Sequence, residues 1–226
     1  MSASNRGHLN IAEYLVEQGA NVNDTDMNGQ TALIVATCGG HLDLCTFLCE
    51  RGANVNAADN DGWTALVVAS HLGYLDISML LSARGTNVNA AARNGSTALL
   101  PASGEGRLDV ARFLCDSGAN VNAAANHGWT ALMCASWKGH LTIVQYLTEQ
   151  GADLFARHRD GSTALTLAIE SNHIAVAAYL RVEGNWQRRR SYAFVLRSIK
   201  DDHSSGLALL RVLQSEDMKR EIGSFL

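Results

Sequence analysis

Two kinds of apolar run alternate along the chain. The first is short and almost wholly apolar, as in Ala32-Leu33-Ile34-Val35-Ala36, and predicts a narrow inner helix buried on most of its surface. The second begins after Gly40-His41 and carries Leu44, Cys45 and Leu48 on one stripe, the pattern of an amphipathic outer helix. Thr31 stands where a hydroxyl can cap the inner helix. Gly40 and Gly52 stand where the two helices must end with positive φ. Between Gly52 and the next threonine lies a polar stretch, Asn54-Val55-Asn56 and then Asp59-Asn60-Asp61-Gly62. It predicts an extended finger with Val55 turned inward and the Asn and Asp side chains bonded to local backbone.

This pattern recurs. Gly-x-Thr-Ala-Leu begins at Gly29, Gly62, Gly95, Gly128 and Gly161, a period of 33 residues. Gly-Ala-Asn-Val-Asn, or a near variant, begins at Gly19, Gly52, Gly85, Gly118 and Gly151, with an isolated Gly184 in the same phase. Two unlinked phrases with one spacing define a repeat array, in which a helix pair cannot bury both faces alone and is stabilised by its neighbours.

These phrases, with the Gly-His starts of the outer helices, resemble the ankyrin repeat family over residues 1 to about 186. The resemblance implies an all-α solenoid of stacked helix pairs with β-turn fingers. The expected units are a half repeat at 1–27, repeats at 28–60, 61–93, 94–126 and 127–159, and a terminal repeat at 160–186. Residues 187–226 are expected to form a helical cap or a docking segment. The half repeat reads as truncation of a larger array, and its helix near Ile11 to Glu17 is expected to fray first.

The chain departs from the family pattern, usually Thr-Pro-Leu-His, in two ways. Alanine follows every one of the five threonines, and Ile34, Val67, Leu100, Met133 or Thr166 replaces the His that ties neighbouring repeats. Apolar packing is expected in place of that tie. The second departure is Pro101, the single proline, expected about one turn into an inner helix, where its ring crowds the Thr97 carbonyl. Gly104 and Gly106 weaken the same helix end. Unit 94–126 is thus expected to be the soft joint of the array, as a tolerated defect or as a hinge.

Charge adds little. The net is −4, with 7 basic and 13 acidic side chains in residues 1–150 and 11 and 9 in the remainder. No strong nucleic-acid footprint follows, and Arg188-Arg189-Arg190 reads as a solvated basic face. Five cysteines without a C-x-x-C pair imply neither a disulfide framework nor zinc, and Cys45 and Cys49, one turn apart, read as packing residues. A reduced compartment, cytoplasmic or nuclear, is expected. No apolar run reaches the roughly 18 residues of a membrane span.

Candidate chemistry is sparse. His41, His140 and His173 open outer helices, while His71, His127, His158 and His203 share no metal-ligand spacing and have no adjacent nucleophile. The chain is expected not to be an enzyme, to hold no cofactor or metal, and to act as a monomer toward a protein partner. The resemblance implies a partner on the concave face, at finger tips and exposed inner-helix positions. Those positions carry Trp63, His71, Leu72, Trp129, Trp137 and Lys138, the candidate partner-binding residues. Trp63 and Trp129 read equally well as lids over their own fingers.

Beyond Gly184, Tyr192, Val195, Leu196 and Ile199 give an apolar face, a break follows at Asp201 to Gly206, and two further helices are expected at 207–213 and after Ser215. An alternative function is therefore a ubiquitin-ligase-type adaptor. The tail nevertheless lacks the Cys of a suppressor-of-cytokine-signalling box and the Leu-Pro entry of an F-box.

Overall fold

The computed structural model describes the backbone of residues 1–201 and the side chains of residues 1–187. Met1–Leu180 form one compact unit, and a second begins at Arg181. Among the described residues there are twelve α-helices, and no strand beyond isolated bridges such as Ala58 with Thr64. Inner helices α3 (Ala32–Cys38), α5 (Ala65–Leu72), α7 (Leu99–Gly104), α9 (Ala131–Lys138) and α11 (Ala164–Glu170) pack each on the next. Outer helices α4 (Leu42–Glu50), α6 (Leu75–Ala83), α8 (Leu108–Asp116) and α10 (Leu141–Glu149) return antiparallel behind them. α1 (Ser2–Asn5) and α2 (Leu9–Glu17) precede this array, and α12 runs from Ile174 to Asp201.

Close packing of the inner row rests on small residues. Ala36, Ala69, Ala102, Ala135 and Ala168 recur every 33 residues and are all fully buried, so neighbouring backbones approach without voids. Leu33, Leu66, Leu99 and Leu132 fill the space between, each contributing about 1.5–3 kcal/mol by burial. Ile34, Val67, Leu100 and Met133 are buried too, so apolar packing does replace the missing histidine. The threonine caps are present where Thr31, Thr64, Thr130 and Thr163 accept the N–H three residues on at 3.3–3.4 Å.

Polar ties between units occur at two other places. Histidines that open the second helix of a unit reach back one unit: His140 Nε2, after Gly139, lies 3.0 Å from the Gly104 carbonyl, and His173 Nε2, after the left-handed Asn172, lies 3.0 Å from that of Trp137. The carbonyls can only accept, so Nε2 carries the proton. The second tie corrects the expectation that the finger asparagines bond only locally. Asn54 does so, accepting from Asn56 N, but Asn23, Asn56, Asn89 and Asn122 bridge units. Asn89 donates to the Gly118 carbonyl at 3.0 Å and accepts from Asn120 N at 2.8 Å. Finger tips are also joined, through Asn60 N, Arg93 N, Asn126 N and Arg159 N to the carbonyls of Asn28, Asp61, Asn94 and His127.

Three further expectations change. Pro101 lies in the first turn of α7, not a full turn inside it. It removes the bond that Val35 N or Cys134 N makes to the preceding threonine carbonyl, and Leu100 N turns to the Thr97 carbonyl at 3.1 Å. The Thr97 hydroxyl cap is thereby lost, while Ala98 stays helical at φ −55°, ψ −31°. Gly106 is outside the helix: at φ +75° it makes the turn, and a Cβ there would meet the His140 ring at 2.9 Å. Gly184 does not end a helix, since α12 runs through it.

The expectation of fraying at the N-terminal end has a physical basis. Ile11, Tyr14 and Leu15 of α2 are exposed, whereas Leu44, Phe47 and Leu48, at the same phase in α4, are buried. The expected helices at 207–213 and after Ser215 lie outside the described residues, as do the side chains of Arg188–Arg190 and of Tyr192, Val195, Leu196 and Ile199.

Candidate functional site

The fingers and the C-terminal ends of the inner helices share one face, and each repeat presents two variable positions there. The residue before the capping threonine reads Trp63, Ser96, Trp129 in successive units, and the inner-helix residue six beyond that threonine's helix start reads His71, Gly104, Trp137. Both sequences run large, small, large. In the middle unit the surface is therefore missing two side chains that its neighbours have. The result is a cleft of about 430 Å³, with Leu100, Pro101 and Cys134 among its lining residues.

Aromatic pairs stand on either side. Trp63 meets His71 edge-on with ring centroids 5.8 Å apart, and Trp129 meets Trp137 edge-on at 6.1 Å. His71, Trp129, Trp137 and Lys138 line the cleft, and Lys138 Nζ sits 4.6 Å from the Trp137 ring centroid, a cation–π contact. Behind Trp129, His158 packs at 5.5 Å and bonds Asp160 through Nδ1 at 2.9 Å. Hydrogen bonds from Ser162, and secondarily from the His158 ring, hold the Asp160 carboxyl well below the usual carboxylate range. His127, at φ +71°, forms the finger-side rim and meets His158 edge-on at 6.5 Å.

Four of the six candidate residues thus meet at one cleft, and two do not. Trp63 is half-buried on the core and reaches the cleft only by bracing His71. Leu72 also packs on the core and does not line the cleft. Trp129 is half-buried, as a lid would be, whereas Trp137 is 48% exposed. Among the described residues, no hydrogen-bond partner faces the indole N–H of Trp129 or Trp137. Sequence reasoning passed over Ser96 and Gly104, because it looked for large residues and these two act by being small. The signal was available as the large-small-large series.

Cys134 is not a reactive group here, since burial pushes its thiol up to about 11 and keeps it protonated at neutral pH.

A family model described as ankyrin repeats (3 copies) matches residues 1–92, 77–158 and 127–188. The chain belongs to the ankyrin repeat family. Comparison with curated proteins gives no match. Ankyrin repeats generally mediate protein–protein interaction, and this ankyrin array presents its variable residues on the finger side. Among the described residues, no helix is long and apolar enough to cross a membrane.

Proposed function

We propose that this ankyrin array is a non-catalytic binding module of the cytoplasm or nucleus that holds a protein partner at the cleft between α7 and α9. The observation that carries the reading is Trp137: a large aromatic left 48% exposed, beside a cleft, with no hydrogen-bond partner for its N–H among the described residues and a cation on its face. A solvent-exposed aromatic contributes little to folding, but at an interface it supplies apolar area and a directed donor. Partner binding accounts for both features.

The test is affinity capture with the intact chain and with Trp137→Ala, quantified by mass spectrometry alongside thermal melting. The expected result is a specific partner whose binding weakens by at least about 30-fold in the variant, the 2 kcal/mol of a hot spot, with melting unchanged. Equal capture by both proteins, or a fall in melting temperature that accounts for the loss, would make Trp137 a lid and remove the site.

A further inference from the structure

The chain has two Asn-Gly pairs, Asn28-Gly29 and Asn94-Gly95, and they hold the same place at the tips of the first and third fingers. Their backbones match. Gly29 and Gly95 have φ of +76° and +77°, and their N–H groups donate to the carbonyls of Asp26 at 3.0 Å and Ala92 at 2.8 Å. Both asparagines are exposed, and both carbonyls accept from the next finger, Asn28 from Asn60 N at 2.9 Å and Asn94 from Asn126 N at 2.7 Å. The side chains differ. In the first finger Asp26 Oδ1 accepts from Asn28 N and Gln30 N, both at 2.9 Å, and the Asn28 carboxamide has no hydrogen-bond partner among the described residues. In the third finger Ala92 stands in place of that aspartate, and Asn94 Oδ1 takes over, accepting from Ser96 N at 2.9 Å. The neighbours differ as well. The third finger is joined on both sides, through Arg93 N to the Asp61 carbonyl at 2.9 Å and through Asn126, whereas among the described residues the first is joined only to the second.

We infer that Asn28 is a site of spontaneous covalent modification, converting to aspartate and isoaspartate through a cyclic imide, and that Asn94 is held against the same reaction. The Gly29 main-chain nitrogen attacks Asn28 Cγ. A new C–N bond forms, the Cγ–Nδ2 bond breaks, and the amide leaves as ammonia with the proton that Gly29 N gives up. Water then adds to one of the two imide carbonyls. Opening at Cγ gives aspartate and opening at the main-chain carbonyl gives isoaspartate, so the sum is one water consumed and one ammonia released. Glycine suits the step, because without a Cβ its nitrogen is open to approach and its φ is free to adjust. Two things must happen first: the carboxamide must turn toward the nitrogen, and the nitrogen must leave the Asp26 carbonyl. At Asn28 the turn breaks no hydrogen bond, and the release is a local opening of a finger tied on one side. At Asn94 the carboxamide must give up Ser96 N, and the finger must open against two neighbours. Each site has its own consequence. Asn94 lines the cleft, where conversion would add a negative charge. Isoaspartate at position 28 routes the main chain through Cγ and turns the carbonyl that accepts Asn60 N into a side carboxylate, so the tie between the first two fingers is lost.

The experiment incubates the full chain at physiological temperature, folded and in urea, at neutral and at mildly alkaline pH. Peptide mapping by mass spectrometry follows each asparagine, and chromatography separates isoaspartate from aspartate. In urea the two sites should convert at similar rates, since the dipeptide is the same. In the folded chain Asn28 should convert at least about fivefold faster than Asn94, the factor that one hydrogen bond supplies. Both should quicken at alkaline pH, where more of the attacking nitrogen is deprotonated. Ala92→Asp gives the third finger the aspartate that the first two carry as Asp26 and Asp59. It should release the Asn94 carboxamide and narrow the gap to about twofold. Equal rates in the folded chain, or a faster Asn94, would overturn the inference, as would an Asn28 that stays intact while the urea sample converts. A gap unchanged by Ala92→Asp would overturn the side-chain tie as its cause.

Discussion

Helices α7 and α9 hold the same place in adjacent repeats and are built to different standards. α9 begins with a threonine cap, has eight residues and ends in Trp137-Lys138 before a left-handed Gly139. α7 has six residues, begins without a cap because Pro101 lacks an N–H, and ends in Gly104. The buried sides are nevertheless alike: Leu99 and Leu132, Leu100 and Met133, Ala102 and Ala135 are all buried. The difference lies in the first turn and the exposed end. The residues that weaken α7 locally, Pro101 and Gly104, also line the cleft, so the soft helix and the recognition surface are one feature. A repeat array permits this because stability is shared with neighbours, so one poor unit does not unfold the rest.

The comparison can be broken most forcefully at two glycines two residues apart. Gly106→Ala forces a Cβ against the His140 ring in a left-handed turn and should destabilise by about 2–3 kcal/mol in denaturant melts. Gly104→Ala meets nothing nearer than Cys134 Cβ at 3.5 Å and should stabilise by up to about 1 kcal/mol. Similar effects of the two would mean that Gly104 is a structural turn glycine and the cleft a by-product. The next test concerns the buried side. Ser70, Ser103 and Ser136 are fully buried with hydroxyls that have no partner among the described residues, whereas Thr37 in the same phase donates to the Leu33 carbonyl at 2.8 Å. Ser103→Ala and Ser136→Ala should each raise stability by about 1–2 kcal/mol. Equal gains place the difference between α7 and α9 on the exposed side, and unequal gains place part of it in the core. A smaller effect is expected at the first turn. Pro101→Ala restores a donor to the Thr97 carbonyl and frees Leu100 N for the hydroxyl, for about 1 kcal/mol of added stability. A lower melting temperature would mean that the proline conformation is required.

Much of this was legible in the sequence because the determinants are local. A threonine cap or a Gly-His turn is specified within three or four residues, and the period repeats the evidence five times. What was not legible depends on neighbours in space. The reach of Asn89 across to Gly118 needs the register between repeats, which composition does not provide. Gly184 has the phase of a helix-ending glycine but not the Ala-Asn-Val-Asn that builds the following turn, and phase alone misleads. Trp137 was identifiable from its type and position. The cleft beside it was harder, since it consists of what Ser96 and Gly104 lack.

The central claim is that the gap in α7 exists to be filled by a partner, and filling it from within tests that most directly. Gly104→Phe puts an aromatic ring where α5 has His71 and α9 has Trp137, at a position whose Cβ has room. Melting and binding of the partner captured by the intact chain are measured on the same preparation. The account predicts an unchanged or higher melting temperature with binding reduced at least about 30-fold. A stable variant that binds that partner as tightly as the natural chain would contradict it.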